Sequence, residues 1–558
     1  MSAVIGNDVG AGNGWLDKER TIAGAGYNRW LVPPAALAIH LCIGMAYGFS
    51  VFWLPLSKAL GAGAAACGKD ISLMTELFAT DCNWRISSLS LMYTLFFVVL
   101  GVSAALWGGW LERAGPRKAG VVAALCWAGG LVISSVGVSS HQLWMMWVGS
   151  GLIGGVGLGL GYISPVSTLI KWFPDRRGMA TGMAIMGFGG GAMIGSPLAV
   201  ELMKAFSSPT SNGVAATFLC MAVIYFIFMM GGALSYRIPA TGWKPAGWTP
   251  PAAQSSNAMI TQRHVHVKKV WGIPQFWLIW MALCMNVTAG IGVIGMASPM
   301  LQEVFGGTLI GLSGDAAKFG NLDKDALAKI AVMGAGFAAL LSLFNICGRF
   351  FWASMSDKLG RKLTYALFFV LGGLLYASIP SSADSGAKLA FVGAVCIIVS
   401  MYGGGFATVP AYLADIFGTQ MVGAIHGRLL TAWSTAGILG PVLITYMREY
   451  QQGLGLPKAE AYNQSMYIFV GVLAIGLVCN LLVRPLNEKW FMNDAELAEE
   501  KRLAHDRAIA NDVGTGSGGS ASAASSSSLV AVLAWLAVGI PLAWGVYRTL
   551  LSVVKFFG

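Results

Sequence analysis

The sequence predicts an all-α membrane protein with twelve transmembrane helices in two six-helix halves, plus an additional C-terminal transmembrane helix. Three observations predict it. Of the 558 residues, 56% are hydrophobic and only 11% are charged. A water-soluble domain carries about 25% charged residues, so the polar groups here cannot cover a water-facing surface of this size. Thirteen apolar runs are each long enough to cross a hydrocarbon layer of roughly 30 Å, which takes about 20 helical residues. A polar stretch, 237–270, divides the first twelve runs six and six.

Residues 1–29 form a polar, glycine-rich tail. No basic segment leads into a short apolar core with a small-residue cleavage site, so the first run is expected to be an uncleaved span. The runs cover approximately 30–60, 85–110, 119–138, 143–170, 179–205, 214–236, 275–304, 328–354, 362–381, 387–414, 421–447, 463–483 and 529–554. The expected organisation is a bundle over 30–236, a central loop over 237–274, a second bundle over 275–483, a charged segment and Gly/Ser linker over 484–528, and the additional helix over 529–558. That last helix is similar to a small independent membrane subunit on a tether, expected to pack against the main body. Arg548 and Lys555 at its end conflict with an external C-terminus, so its direction stays open.

Cations fix the orientation of the main body. Arg113, Arg117 and Lys118 follow the second run; Lys171, Arg176 and Arg177 the fourth; Lys358, Arg361 and Lys362 the eighth. The turn 139–142 on the opposite side has none. Positive residues stay in the cytoplasm, so the N-terminus, the central loop and the charged segment are expected there. The net charge of +11 reflects this bias. No basic face is clustered enough to bind nucleic acid. Seven of the nine cysteines sit in apolar runs, and no metal spacing is present. Cys67 and Cys82 share the first polar loop, as a disulfide or as two thiols. His264 and His266 belong to a solvated loop. With no nucleophile–base constellation, an enzyme is not expected, and no cofactor is implied.

Two loops at matching places carry one pattern. The first holds Glu112-Arg113-Ala114-Gly115-Pro116-Arg117-Lys118; the second holds Asp357-Lys358-Leu359-Gly360-Arg361-Lys362. Each joins the second and third helices of its half and has an acid, a base, and a glycine three positions after the acid. This resembles the signature loop of the major facilitator superfamily, which implies the major facilitator fold, a tight turn and charge pairing across the bundle. The match reads Glu112 in place of the usual aspartate and Pro116 as an insertion.

An ionisable group inside a span costs roughly 2.5–3.5 kcal/mol, so each is a functional candidate. Arg349 lies eight residues before Asp357, about 12 Å along a helix. It either snorkels to the interface or faces the cavity and binds a carboxylate by paired hydrogen bonds. Arg428 is a second anion contact, a gate residue or a helix-end cation. His40 makes an interhelical hydrogen bond or handles protons. Tyr47, Tyr402 and Trp433 either pack or wall a small cavity. No carboxylate falls mid-helix in the first, fourth, seventh or tenth runs. The cavity field is therefore expected to be positive, favouring a small carboxylate anion.

Tyr47-Gly48-Phe49-Ser50-Val51-Phe52, Gly161-Tyr162-Ile163-Ser164-Pro165, Lys171-Trp172-Phe173-Pro174-Asp175-Arg176-Arg177-Gly178 and Pro410 to Gly418 look like the oxalate/formate antiporter family, over roughly residues 30–485. The resemblance implies an arginine of the eighth helix and a lysine of the eleventh holding two carboxylates, in a bacterial inner membrane. Arg349 matches the arginine; Trp433 stands at the lysine position. One fixed cation suits a monoanion such as formate or pyruvate, and Arg428 in the lysine's role keeps oxalate open. Anion exchange is the expected activity. Proton-coupled monocarboxylate symport and a membrane anion sensor are the alternatives.

Overall fold

With no water in a bilayer core to accept its bonds, a spanning chain must satisfy its backbone polar groups internally, and the computed structural model does this with helices. It describes residues 15–499 apart from 17, 25, 62–63, 69–70, 174–176, 210, 241–242, 246, 248–258, 262 and 419–420, together with 502 and 528–557. Among the described residues, thirteen helices are long and apolar enough to cross a membrane. They are α1 (Arg29–Leu56), α2 (Ile86–Ala114), α3 (Pro116–Ser139), α4 (Leu143–Met146 running on through Trp147–Gly154 and Gly155–Trp172), α5 (Arg177–Ala205), α6 (Val214–Ser235), α7 (Pro274–Phe305), α8 (Lys324–Leu359), α9 (Arg361–Asp384), α10 (Lys388–Phe417), α11 (Val422–Leu429 and Thr431–Gly453), α12 (Asn463–Leu482) and α13 (Ser528–Phe557). The first twelve form two six-helix halves. The halves meet along an α2–α11 seam and an α5–α8 seam, with α1 also against α7.

The two signature loops fold alike. Gly115 ends α2 at φ 88° and ψ 160°; Gly360 ends α8 at φ 84° and ψ 149°. Both lie in a region open essentially to glycine alone. The next helix starts immediately in each case, at Pro116 and at Arg361. Pro116 is therefore not an insertion: it occupies the place of Arg361. Two residues past each glycine a cation reaches carbonyls at the end of the sixth helix of its half. Arg117 donates to the Tyr236 oxygen at 3.2 Å, and Lys362 donates to those of Leu481 and Val483 at 2.7 and 2.8 Å. Helix C-termini carry orphan carbonyls and partial negative charge, which explains a cation there. In the second loop, Arg361 pairs with Asp357 at 2.5 Å and with Asp415 of α10 at 3.5 Å, while Lys358 is exposed. The side chains of Glu112 and Arg113 lie outside the described residues.

Cys67 and Cys82 form a disulfide with Cα atoms 4.9 Å apart, on the face opposite the signature loops. His141 closes that loop against the bundle, donating from Nε2 to the Cys82 carbonyl at 2.9 Å and stacking on Trp84 at 4.2 Å. Burial there lowers its pKa from the usual histidine value. α13 runs parallel to α1 and α5. Trp535 bonds the Trp30 carbonyl at the start of α1, and Arg548 pairs with Glu201 near the end of α5. The ion pair answers Arg548, one of the two charges that left this helix's direction open; the side chain of Lys555 lies outside the described residues.

An alanine at either signature glycine is expected to cost roughly 1–3 kcal/mol. At Gly115 the added Cβ would also stand 3.0 Å from the Lys18 Cβ, whereas at Gly360 it meets open space. Thermal unfolding in detergent should therefore show a larger fall in midpoint for Gly115→Ala than for Gly360→Ala. Equal shifts would mean that the Lys18 segment does not pack there.

Candidate functional site

α8 carries its charge in the interior. Arg349 is 2% exposed and so does not snorkel. Asn345, one helical turn earlier on the same face, accepts from its Nε at 2.9 Å. The guanidinium lies over the Phe406 ring, 5.6 Å from its centroid. α5 permits this by having no side chain at Gly189: a Cβ there would stand 2.8 Å from Asn345 Oδ1 and 3.0 Å from Arg349 Nε. No ion pair to Arg349 occurs among the described residues.

Around it stands a cage of rings from both halves. From Gly44 to Phe52, α1 tightens to a 3-10 helix, far longer than the few residues such geometry normally runs. This stretch carries Tyr47, whose hydroxyl meets that of Tyr402 on α10 at 2.6 Å. Phe188 stands edge-on to Tyr47 at 4.8 Å. Trp433 is buried among Tyr162 at 5.1 Å, Phe188 at 5.5 Å and Phe406 at 4.6 Å. Tyr47, Tyr162 and Tyr402 all feel the Arg349 charge. Four polar atoms in this cage are buried without a hydrogen-bond partner: Arg349 Nη1, Asn345 Nδ2, Trp433 Nε1 and the Tyr162 hydroxyl. Stranded donors each carry a desolvation cost of roughly 1–3 kcal/mol, and here they gather at one place. A cavity of about 10 Å³, lined by Tyr47, Ser342 and Asn345 among others, borders the cage.

The structure thus brings together Arg349, Tyr47, Tyr402 and Trp433. His40 borders the cage and is hydrogen-bonded: Nε2 meets the Tyr162 carbonyl at 3.1 Å, which requires that nitrogen to be the donor. Arg428 is not in the cage. It donates to the Val267 carbonyl, and its guanidinium lies 5.7 Å from the centre of the Trp271 ring. That places it against the start of the second half and corrects the reading of Arg428 as a second anion contact beside Arg349. Asp357, Lys358, Gly360 and Arg361 line a separate open crevice of about 580 Å³ at the helix ends. Asn345, Phe188 and Phe406 were not singled out from the sequence, and Tyr162 entered only within the motif Gly161 to Pro165. Asn345 was within reach, since it sits four residues before Arg349 on one helical face; the others depend on contacts between distant helices.

The sequence profile of the Major Facilitator Superfamily matches residues 36–441. An oxalate:formate antiporter of Oxalobacter formigenes is 24% identical over 414 residues, 74% of this chain and 83% of that protein. Apicoplast pyruvate carrier 1 of Toxoplasma gondii is 23% identical over 526 residues, 81% of this chain and 88% of that protein. The crystal structure of a D-xylose–proton symporter superposes with a TM-score of 0.55 at 14% identity, covering 83% of this chain and 97% of that one; this likeness speaks to the fold alone.

Gly189→Ala drives a methyl group into the Asn345–Arg349 pair. The expected loss is about 1–3 kcal/mol of stability, read as a lowered unfolding midpoint. The outward-facing Gly129, where a Cβ meets nothing within 4 Å, is the control: Gly129→Ala should hold the midpoint or raise it slightly, as an unobstructed alanine does inside a helix. Equal behaviour of the two variants would remove the close approach from the site.

Proposed function

The chain belongs to the Major Facilitator Superfamily, and we propose that it carries small carboxylate anions, formate, pyruvate, oxalate or similar, by exchange across a bacterial inner membrane. One observation carries this reading: a buried guanidinium, Arg349, with no acidic partner among the described residues, whose Nη1 is unsatisfied inside an aromatic cage, at the meeting of the two halves. A carboxylate bound there gains charge-assisted hydrogen bonds and cancels the buried charge. Trp433 Nε1 and the Tyr162 hydroxyl supply further donors. The names of two relatives, an oxalate:formate antiporter and a pyruvate carrier, support the substrate class. With Trp433 where the resemblance places a lysine, one cation favours a monocarboxylate.

The same charge supports exchange. Occluding the site without a ligand shuts an uncompensated charge away from water at the membrane centre, at a penalty of roughly 2.5–3.5 kcal/mol. Each 1.36 kcal/mol is tenfold in rate, so the empty return is slower by about a hundredfold, whereas the site loaded with a monocarboxylate is neutral. His40, committed to a carbonyl, and the lack of a carboxylate in the cage among the described residues, favour exchange over proton symport. We place the basic signature loops, the N-terminus and the central loop in the cytoplasm.

In reconstituted vesicles, uptake of labelled formate, pyruvate or oxalate is expected only with a carboxylate inside. Arg349→Ala should reduce counterflow at least a hundredfold while purifying as a folded protein. Wild-type counterflow by this variant would remove Arg349 from the site. Trp433→Lys should shift preference toward dianions in a competition assay; unchanged selectivity would break the placement of that position.

A further inference from the structure

We propose that α13 is a brace across the α5–α8 seam, fastened to the N-terminal half, from which α8 must part whenever the seam opens. α13 packs against α1, α5 and α8, and so touches both halves. Two polar fastenings tie it to the first half. Near its start, Trp535 Nε1 donates to the Trp30 carbonyl at 3.1 Å. Near its end, Arg548 pairs with Glu201 of α5. Between them Val538 is buried against Leu37 and Ala38 of α1, with Met186 of α5 alongside. Gly545 lies so close to α5 that a Cβ would stand 2.9 Å from Ile194 and 3.2 Å from the Met193 carbonyl.

These contacts fall around one stretch of α5. Met186 and Met193–Ile194 face α13. Gly189 and Gly190 in the same stretch face α8, at Asn345, Arg349 and Ile346. α5 is therefore held between α13 on one side and the cage-bearing face of α8 on the other. Most of α13 points outward, with Leu533, Leu536, Ile540 and Tyr547 exposed. In lipid, apolar contact supplies no drive for helices to associate, so packing at small residues and polar links hold them together. The two end fastenings and Gly545 are therefore what keep α13 in place. Being on the same chain, α13 also docks as an intramolecular event.

The consequence is kinetic. In a major facilitator the two halves rock about the central site, so the α5–α8 seam must open and close. The close packing of α13 on α8, a van der Waals contact, is lost at each opening, while the fastenings to α1 and α5 travel with the first half. α13 thus opposes opening of the seam and slows turnover without touching the substrate. This inference needs the movement of the halves but not the identity of the cargo.

The test uses the full chain in nanodiscs and in vesicles. Hydrogen–deuterium exchange is followed over 186–194 of α5 and over α8, and counterflow is measured in parallel. The variants are Arg548→Gln, the pair Trp535→Phe with Arg548→Gln, and the swap Glu201→Arg with Arg548→Glu. Releasing the fastenings is expected to raise exchange over both segments about threefold or more and to speed counterflow at least twofold with KM unchanged. The swap should return both readouts toward wild type. Wild-type exchange in the double variant, or counterflow that slows when α13 is released, would overturn the brace. Vesicles that carry no carboxylate would defeat the substrate reading, and the exchange measurement would still decide this one.

Discussion

A positive charge held away from water organises the centre of this molecule. A guanidinium is a charged, donor-only group, so the burial of Arg349 has to be answered by neighbours. Asn345 supplies an acceptor, Phe406 supplies a ring face, and Gly189 supplies room. None of these is an anion. Among the described residues the side chain is oriented but not neutralised, and in the function we propose it takes its counter-charge from the cargo. An acidic partner in the protein would have settled the charge permanently and left nothing to attract a carboxylate. The aromatic walls then serve two ends: they exclude water, which strengthens the attraction, and through Trp433 and Tyr162 they present donors instead of competing acceptors.

How the halves are held together fits a machine that must come apart along its seams. Among the described residues, the hydrogen bonds between halves are single and scattered. Trp53 Nε1 meets the Gly295 carbonyl at 2.7 Å, the Ser87 amide meets Glu449 Oε1 at 2.8 Å, Tyr47 meets Tyr402, and Ser342 meets the Gly189 carbonyl. Each contributes roughly 0.5–1.5 kcal/mol net, somewhat more for the carboxylate. Within the second half the bonding is of another order. Arg448 grips both oxygens of Glu303, and Tyr462 donates to the same carboxylate at 2.6 Å, a buried network joining α11, α7 and α12. Breaking such a pair costs roughly 3–5 kcal/mol. Strong links inside a half and weak ones between halves permit rigid-body rocking without unfolding.

Much of this was legible in the chain, for reasons that differ by residue. The spans follow from length and hydropathy, because a bilayer leaves few choices of backbone. The two loops were legible because their glycines recur at one offset, and Gly115 and Gly360 do share one backbone conformation. Arg349 was legible because a charge eight residues inside a span is expensive. The surroundings of Arg349 were not: Tyr162, Phe188 and Phe406 look like any other apolar-span aromatics until the helices are packed. Arg428 shows the opposite failure. Its place near the start of α11 suited a second anion site, but the side chain turns to the Val267 carbonyl, just ahead of the one-residue interruption at Leu430 between Val422–Leu429 and Thr431–Gly453. The glutamate–arginine pair of Glu303 and Arg448 was invisible because its members are 145 residues apart.

The signature loops also show how far the two halves have diverged. In the second, Arg361 opens α9 and joins Asp357 of α8 to Asp415 of α10, so three helices are tied by one guanidinium. In the first, Pro116 stands at that position. Proline is well suited to the first turn of a helix, where its missing N–H has no partner in any case, but it brings no charge. The first half therefore cannot form this link from that position. What it retains is the other cation, Arg117, which reaches the Tyr236 carbonyl and also the Trp15 carbonyl at 3.0 Å. The N-terminal segment is thereby drawn into the bundle, and Lys18 lies against Gly115. One loop fastens helix to helix; the other fastens the helices to the chain's own N-terminal arm, on the half to which α13 is also fixed. The first half thus gathers its added elements around itself, and the second half, bound internally by its arginines, is left free to move against it.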